Sequence, residues 1–231
     1  NSDTQADDHF NTVLYTGNES SRSIAVGFQS DWVWIKNRET TRYHRLYDSS
    51  RGATKALYTN DTDAEETNST ELTAFNSNGF TLGAGVGSNE NNDTFVSWNW
   101  KANGGTTVTN EAGSIDSTVQ ANTDAGFSIV SYTGTGSAGT IGHGLDSAPE
   151  LVFTKRTDAS AQWHIAGKYV TRIQFNTGGD DNNFGSTFAA TTFSQPGGTQ
   201  VANAEWNGNG ANYIAYAFHS VEGYSKVGSY T

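Results

Sequence analysis

The sequence predicts an all-β chain made of two tandem antiparallel β-sandwich modules, jelly-roll or Ig-like, related by an internal repeat. Three observations carry this expectation. The composition favours pleated, half-buried surfaces and tight turns, with 26 Gly, 6 Trp, 10 Tyr and 12 Phe but only 2 Pro in 231 residues. No stretch repeats apolar residues at helical spacing for three turns, whereas period-two runs recur along the whole chain. Finally, the chain aligns with itself. Thr12-Val13-Leu14-Tyr15-Thr16-Gly17 matches Ile129-Val130-Ser131-Tyr132-Thr133-Gly134, a shift of 117 from Tyr15 to Tyr132. Asp31-Trp32-Val33-Trp34-Ile35-Lys36 matches Glu150-Leu151-Val152-Phe153-Thr154-Lys155 at 119, His44 meets His164 at 120, and Phe95 to Trp100 meets Tyr213 to Phe218 at 118.

In chain order, residues 1–9 read as an N-terminal extension and residues 10–104 as the first repeat. Alternation places its strands at roughly 11–16, 22–27, 31–37, 42–47, 54–59, 70–75, 79–83 and 93–101. Polar turns separate them, among them Gly17-Asn18, Ser49-Ser50-Arg51-Gly52 and Gly87-Ser88-Asn89. Asn78-Gly79 reads as the turn of a hairpin, because both residues accept positive φ at low cost. Residues 105–125 are Gly/Thr-rich and polar, either a linker or an extra strand through Ile115 and Val119, with a short tether favoured. The second repeat covers 126–226. Val227-Gly228-Ser229-Tyr230-Thr231 resembles the opening strand, which makes 227–231 a candidate start of a third copy.

Charge narrows the function. Thirteen basic against 24 acidic residues give a formal net charge of −11, which repels nucleic-acid backbones and anionic membrane surfaces, so neither nucleic acid nor membrane insertion is expected. No apolar run approaches the roughly 20 residues of a membrane helix. With no Cys, disulfides and thiolate metal sites are excluded.

Paired tryptophans are the first site candidates. Trp32 and Trp34 share one strand face, as do Trp98 and Trp100, and flat indoles suit the apolar faces of sugar rings. Trp163 and Trp206 extend the carbohydrate-binding candidates to the second copy. The competing reading is core packing, which gains because Leu151, Phe153, Tyr216 and Phe218 replace the first copy's four Trp and keep only their bulk. With Val33 and Ile35 between the Trp residues, the strand reads as central and buried on both faces. Asp61 and Asp63, with Asp180 and Asp181 in the related loop of the second copy, are candidate calcium ligands, although no EF-hand spacing accompanies them and acidic loops on an acidic chain are normally solvated. The loop at Asn89 to Asp93 is similarly oxygen-rich. His44 and His164, matched in the repeat, suggest a shared structural role. Asp31, Glu150 and Glu205 are the carboxylates that a glycosidase reading would use, but the chain lacks the usual hydrolase, zinc and phosphate-loop motifs, so no enzyme and no catalytic residue is expected. Asn18, Asn60, Asn68 and Asn92 match the glycosylation acceptor pattern, at a density that chance explains in an Asn/Thr-rich chain.

Three longer strings carry a resemblance: Asp8-His9-Phe10-Asn11-Thr12-Val13-Leu14-Tyr15-Thr16-Gly17-Asn18, the run from Val26 to Arg38, and Phe95-Val96-Ser97-Trp98-Asn99-Trp100-Lys101-Ala102-Asn103-Gly104. The chain resembles a repeated module of large structural and tail-fibre-like proteins of marine bacteriophages, including cyanophages. Such modules often follow a laminin-G or concanavalin-like domain. The resemblance implies a β-sandwich appendage on the virion surface that contacts other virion proteins and host glycans. It also implies homo-oligomeric assembly and supplies no catalytic residues. Lys36-Asn37-Arg38 becomes Lys155-Arg156-Thr157 in the second copy, so a role tied to that turn would not extend to it.

Overall fold

The structure is a computed structural model that describes residues 6–174, 187–195 and 205–229. It is an all-β fold with several antiparallel sheets. The chain divides into two compact units, Asn1–Gly105 and Thr106–Thr231.

After a helical turn at Ala6–Asp8, the first unit carries β1 (Phe10–Thr16), β2 (Arg22–Ala25), β3 (Trp32–Asn37), β4 (Arg45–Asp48), β5 (Lys55–Tyr58), β6 (Glu66–Thr67), β7 (Leu72–Asn76) and β8 (Gly79–Leu82). The one-turn helix α1 (Val86–Asn89) and β9 (Thr94–Trp100) complete it. One sheet has the order β1-β9-β3-β4-β5-β6 and a smaller one the order β2-β8-β7. A single apolar cluster draws on both sheets: Val33, Ile35 and Phe95 from the larger, Ile24, Phe80 and Leu82 from the smaller. Alternation puts Trp32 and Trp34 on the opposite face of β3, against Trp100 and Trp98 of β9 in direct register. Ring centroids there are 4.5 Å apart for Trp32 and Trp100 and 5.6 Å for Trp34 and Trp98. Trp32, Val33 and Ile35 are all buried, as a central strand covered on both faces requires.

The second unit begins with β10 (Val108–Asn110) and β11 (Ser117–Asn122), so the stretch read as tether or extra strand is extended chain paired to β12 (Phe127–Thr133) through β11. There follow β13 (Gly139–Gly142), β14 (Leu151–Arg156), β15 (Trp163–Gly167), β16 (Val170–Gln174), β17 (Thr192–Gln195) and β18 (Asn212–Phe218). Their large sheet runs β10-β11-β12-β18-β14-β15-β16, and β13 pairs with β17. Val130, Val152 and Tyr213 of the large sheet share a core with Ile141 and Phe193 of the small one. Val227 to Ser229 carry no strand.

In each unit the last strand is inserted between two earlier ones, β9 between β1 and β3 and β18 between β12 and β14. Register makes the correspondence residue by residue: Trp32 pairs with Trp100 as Leu151 pairs with Phe218. The same test corrects the histidine match. Ile35 faces Arg45 and Thr154 faces His164, so His164 is the counterpart of Arg45, and Trp163 is that of His44. The hairpin turn is also one residue earlier than expected. Asn76 pairs with Gly79, leaving Ser77-Asn78 as the loop. Gly79, at φ 144°, is instead required where its backbone packs against the Ile24 carbonyl.

Candidate functional site

Buried polar side chains fix the loops that frame any site. In β1, Tyr15 points its hydroxyl at the Ser88 carbonyl of α1 (2.7 Å), and in β12 Tyr132 does the same to the Trp206 carbonyl (2.6 Å). Two residues on, Gly17 and Gly134 lie against the backbone at Glu90 and Gly208, where a Cβ would overlap a carbonyl oxygen. The Tyr-Thr-Gly string recurs because it makes one clamp twice. Asn89, expected in a solvated loop, is buried and accepts from the Asn18 amide at 3.0 Å, as buried Asn207 accepts from Thr135 at 2.9 Å.

The candidate glycosidase carboxylates hold chain rather than substrate. Asp31 is fully buried and accepts from Gln29, Ser49 and the amides of Ala102 and Gly104, all at 2.7–3.1 Å. Its counterpart Glu150 accepts from Lys168 Nζ at 2.8 Å and from the Ser220 amide and hydroxyl. Hydrogen bonds from Lys168 and then Ser220 hold the Glu150 carboxyl down at about 2. Both carboxylates precede a central strand and fasten the chain that leaves the last one. Glu205 bonds His164 Nε2 at 2.9 Å, and the same imidazole meets Trp206 edge-on at 4.6 Å.

Trp32, Trp163 and Trp206 are 3, 1 and 1% exposed, so their indoles are packed and present no ring face to a ligand. Trp34 is half-buried beside Trp98 and His44. For Trp32, Trp163 and Trp206 the sugar-platform expectation is therefore corrected in favour of packing: alternation shows which face a Trp takes, not what covers it. Asp61 accepts from the Thr62 amide at 2.6 Å. It also takes the Tyr43 hydroxyl, which raises the Tyr43 pKa, with Asp63 adding to the effect. Among the described residues no three His, Cys, Asp or Glu side chains converge as a metal site, and Asp180 and Asp181 lie outside the described residues.

A concave site of the first unit lies elsewhere, a cavity of about 370 Å³ lined by Thr41, Arg42, Tyr43, Arg45, Tyr58, Glu66 and Asn68. The pairing of β4 with β5 and β5 with β6 brings these residues together from the β3–β4 loop and three strand ends. Tyr43 is 46% exposed and its ring lies 5.0 Å from that of buried Tyr58. Tyr58 donates to Glu66, and burial followed by that bond pushes its pKa well up. Arg45 stacks its guanidinium 5.6 Å over Tyr58, donates to the Gly87 carbonyl at 3.2 Å and meets buried Glu71 at 3.7 Å. A Cβ at Gly87 would overlap the Arg45 guanidinium, so a side chain there would push that group from its place. Arg42 is held by Glu90 at 2.6 Å. The oxygen of Asn68 accepts from Thr70, which leaves its amide protons for a ligand. One rim aromatic with a carboxylate, an amide and a guanidinium around a shallow cavity matches the needs of a polyhydroxylated ligand. Sequence reasoning missed it; its only signal was the neighbouring Asp61–Asp63 loop.

A larger cavity of about 630 Å³ in the second unit is lined by Glu150, Lys168, Tyr169 and the turn from Ser220 to Val227. There Glu150, Lys168 and Ser220 already satisfy one another, and Lys168 also lies over the Tyr169 ring.

No curated protein and no solved structure is detectably similar to the chain. A family model matches residues 5–231 and so runs through both units; the chain belongs to that family, described as a domain of unknown function, DUF7483.

Proposed function

We propose that the chain is a non-catalytic module of a virion surface or tail fibre. In this reading each unit is a β-sandwich of jelly-roll or Ig-like type, and the first displays a glycan-binding site at the Tyr43 cavity. The observation that carries the sugar reading is that cavity. Tyr43 offers a partly exposed ring for the C–H face of a pyranose, and Glu66, Asn68 and Arg42 line the same cavity as an acceptor and donors for ring hydroxyls. Both lining guanidiniums are already paired with a carboxylate, Arg42 with Glu90 and Arg45 with Glu71, and Asp61 stands at Tyr43, which favours a neutral or amino sugar over an acidic one. The virion setting rests on the phage-module resemblance of residues 8–18, 26–38 and 95–104, and the partners in that setting are other virion proteins and host-surface glycans.

The test is a glycan array and host-envelope binding by the intact chain, with and without calcium. Tyr43→Ala and Glu66→Gln are expected to weaken binding at least 10-fold while leaving the circular dichroism unchanged. Calcium dependence would bring the Asp61–Asp63 loop into the site. The reading is lost if no glycan binds, or if Tyr43→Ala binds as well as the parent.

A further inference from the structure

The internal repeat sets a histidine where its framework also accepts an aliphatic residue. Val26 directly follows β2 in the first unit, and His143 directly follows β13 in the second. Both are buried, and both donate their amides to the turn of the facing hairpin, Val26 to the Asn78 carbonyl at 2.8 Å and His143 to the Thr191 carbonyl at 3.2 Å. In each unit a glycine of positive φ comes next, then a core residue, Phe28 or Leu145. Apolar burial suffices at this place in the first unit, so the imidazole of the second calls for a reason of its own.

Both ring nitrogens of His143 are committed. The Leu145 amide donates to Nδ1 at 3.1 Å, so the ring proton sits on Nε2, which donates to the Ala189 carbonyl at 3.2 Å. One ring thus ties the loop after β13 to the turn before β17, whose Phe193 pairs with Ile141 and shares its core. Only the neutral ring fits. A second proton would go to Nδ1 and face the Leu145 N–H, setting two donors against each other and placing a cation on a fully buried side chain. Burial pulls the His143 pKa below the ordinary 6.5; the Ala189 bond works the other way, and charge on nearby His219 adds to the lowering. His219 follows β18 and lies 3.2 Å from Asp146, while β11, β12, β13 and β17 carry no acidic, basic or histidine side chain.

We infer that His143 makes the β13–β17 corner of the second unit an acid-sensitive latch, closed on the neutral imidazole and released when the ring takes a second proton. An opened corner takes up that proton at the ordinary 6.5 and the closed one only at lower pH, so the latch is complete above 6.5 and weakens as pH falls below it. One proton raises the open population by at most about 10-fold per pH unit in this window. The first unit, with Val26 at the same place, has no such response. The latch uses neither the Tyr43 cavity nor its residues and is independent of the sugar reading.

Amide hydrogen exchange on the whole chain from about pH 7.5 to about pH 5, each rate divided by the intrinsic rate at that pH, tests it. The amides of His143, Leu145 and Ser194 are expected to lose about 10-fold in protection, while those of Val26 and Gly27 keep theirs. His143→Gln keeps an acceptor and a donor on a side chain that takes up no proton in this range, and is expected to flatten the response. Should it fail to fold, His143→Val installs the first unit's residue to the same end, and the imidazole titration of the parent, read by NMR, must run in step with the loss at Leu145. Unchanged protection across the window, an equal loss in both units, a response that survives the substitution, or a ring that titrates without loss at Leu145 would each overturn the inference.

Discussion

Single atoms decide much of this structure, most plainly at Gly17 and Gly134. Neither has the positive φ that usually explains a glycine; each is needed because a carbonyl, that of Glu90 for Gly17 and that of Gly208 for Gly134, occupies the place a Cβ would take. Gly17→Ala and Gly134→Ala are therefore expected to destabilise the protein by about 1–3 kcal/mol each, as overpacking does. Gly228, with open space around it, is the control, and Gly228→Ala should leave the thermal midpoint unchanged. Equal losses in all three would show that the clamp is not the cause. The Tyr-Thr-Gly string could be seen twice in the sequence, but its reason could not, because the carbonyls it meets lie more than seventy residues further along the chain. The histidine alignment misled for a related reason. Identical letters at 44 and 164 outweighed a register that only strand pairing reveals, and it is Arg45 and His164 that share a place.

At the scale of elements, the strands of the first unit were legible because alternation and turn residues are local signals: β3, β5 and β9 fall within the expected 31–37, 54–59 and 93–101. The candidate site was not, since Tyr43, Tyr58 and Glu66 meet only after β4, β5 and β6 pair. What fastens the sheets is equally non-local. Asp31 and Glu150 each fasten the exit of the last strand to the entry of a central one, and for Glu150 this makes stability depend on pH. Its folded pKa of about 2 lies below the ordinary 4.5, so the unfolded chain takes up the proton first as pH falls. The contribution is complete above the ordinary value and is lost as pH drops through about 2. Glu150→Gln is expected to melt below the parent at pH 7, with the difference closing as pH approaches 2. A gap that stays constant across this window would remove the carboxylate from the latch.

Across the whole molecule, one framework carries two different surfaces. The units share the order and register of their central strands, β1-β9-β3-β4-β5 and β12-β18-β14-β15-β16, yet Arg45 of the first unit gives way to His164 in the second, and Glu205 occupies the place of Gly87 beside it. The Tyr43 cavity depends on Arg45 lying over Tyr58, so the two units do not present the same site, and the proposed glycan contact falls to the first unit. A shallow cavity of about 370 Å³ covers a saccharide incompletely and gains little affinity by itself. On the proposed reading strength comes from copy number, because a second engaged site profits from effective concentration without any new contact. The chain free in dilute solution should therefore bind weakly, and the same chain displayed densely on a bead or particle should bind a glycan-coated surface about 10²–10⁴-fold more tightly. Tyr43→Ala must abolish both modes if one site serves both. Should dense display strengthen the Tyr43→Ala chain as much as the parent, the gain would come from the surface at large, and the cavity would have no part in it.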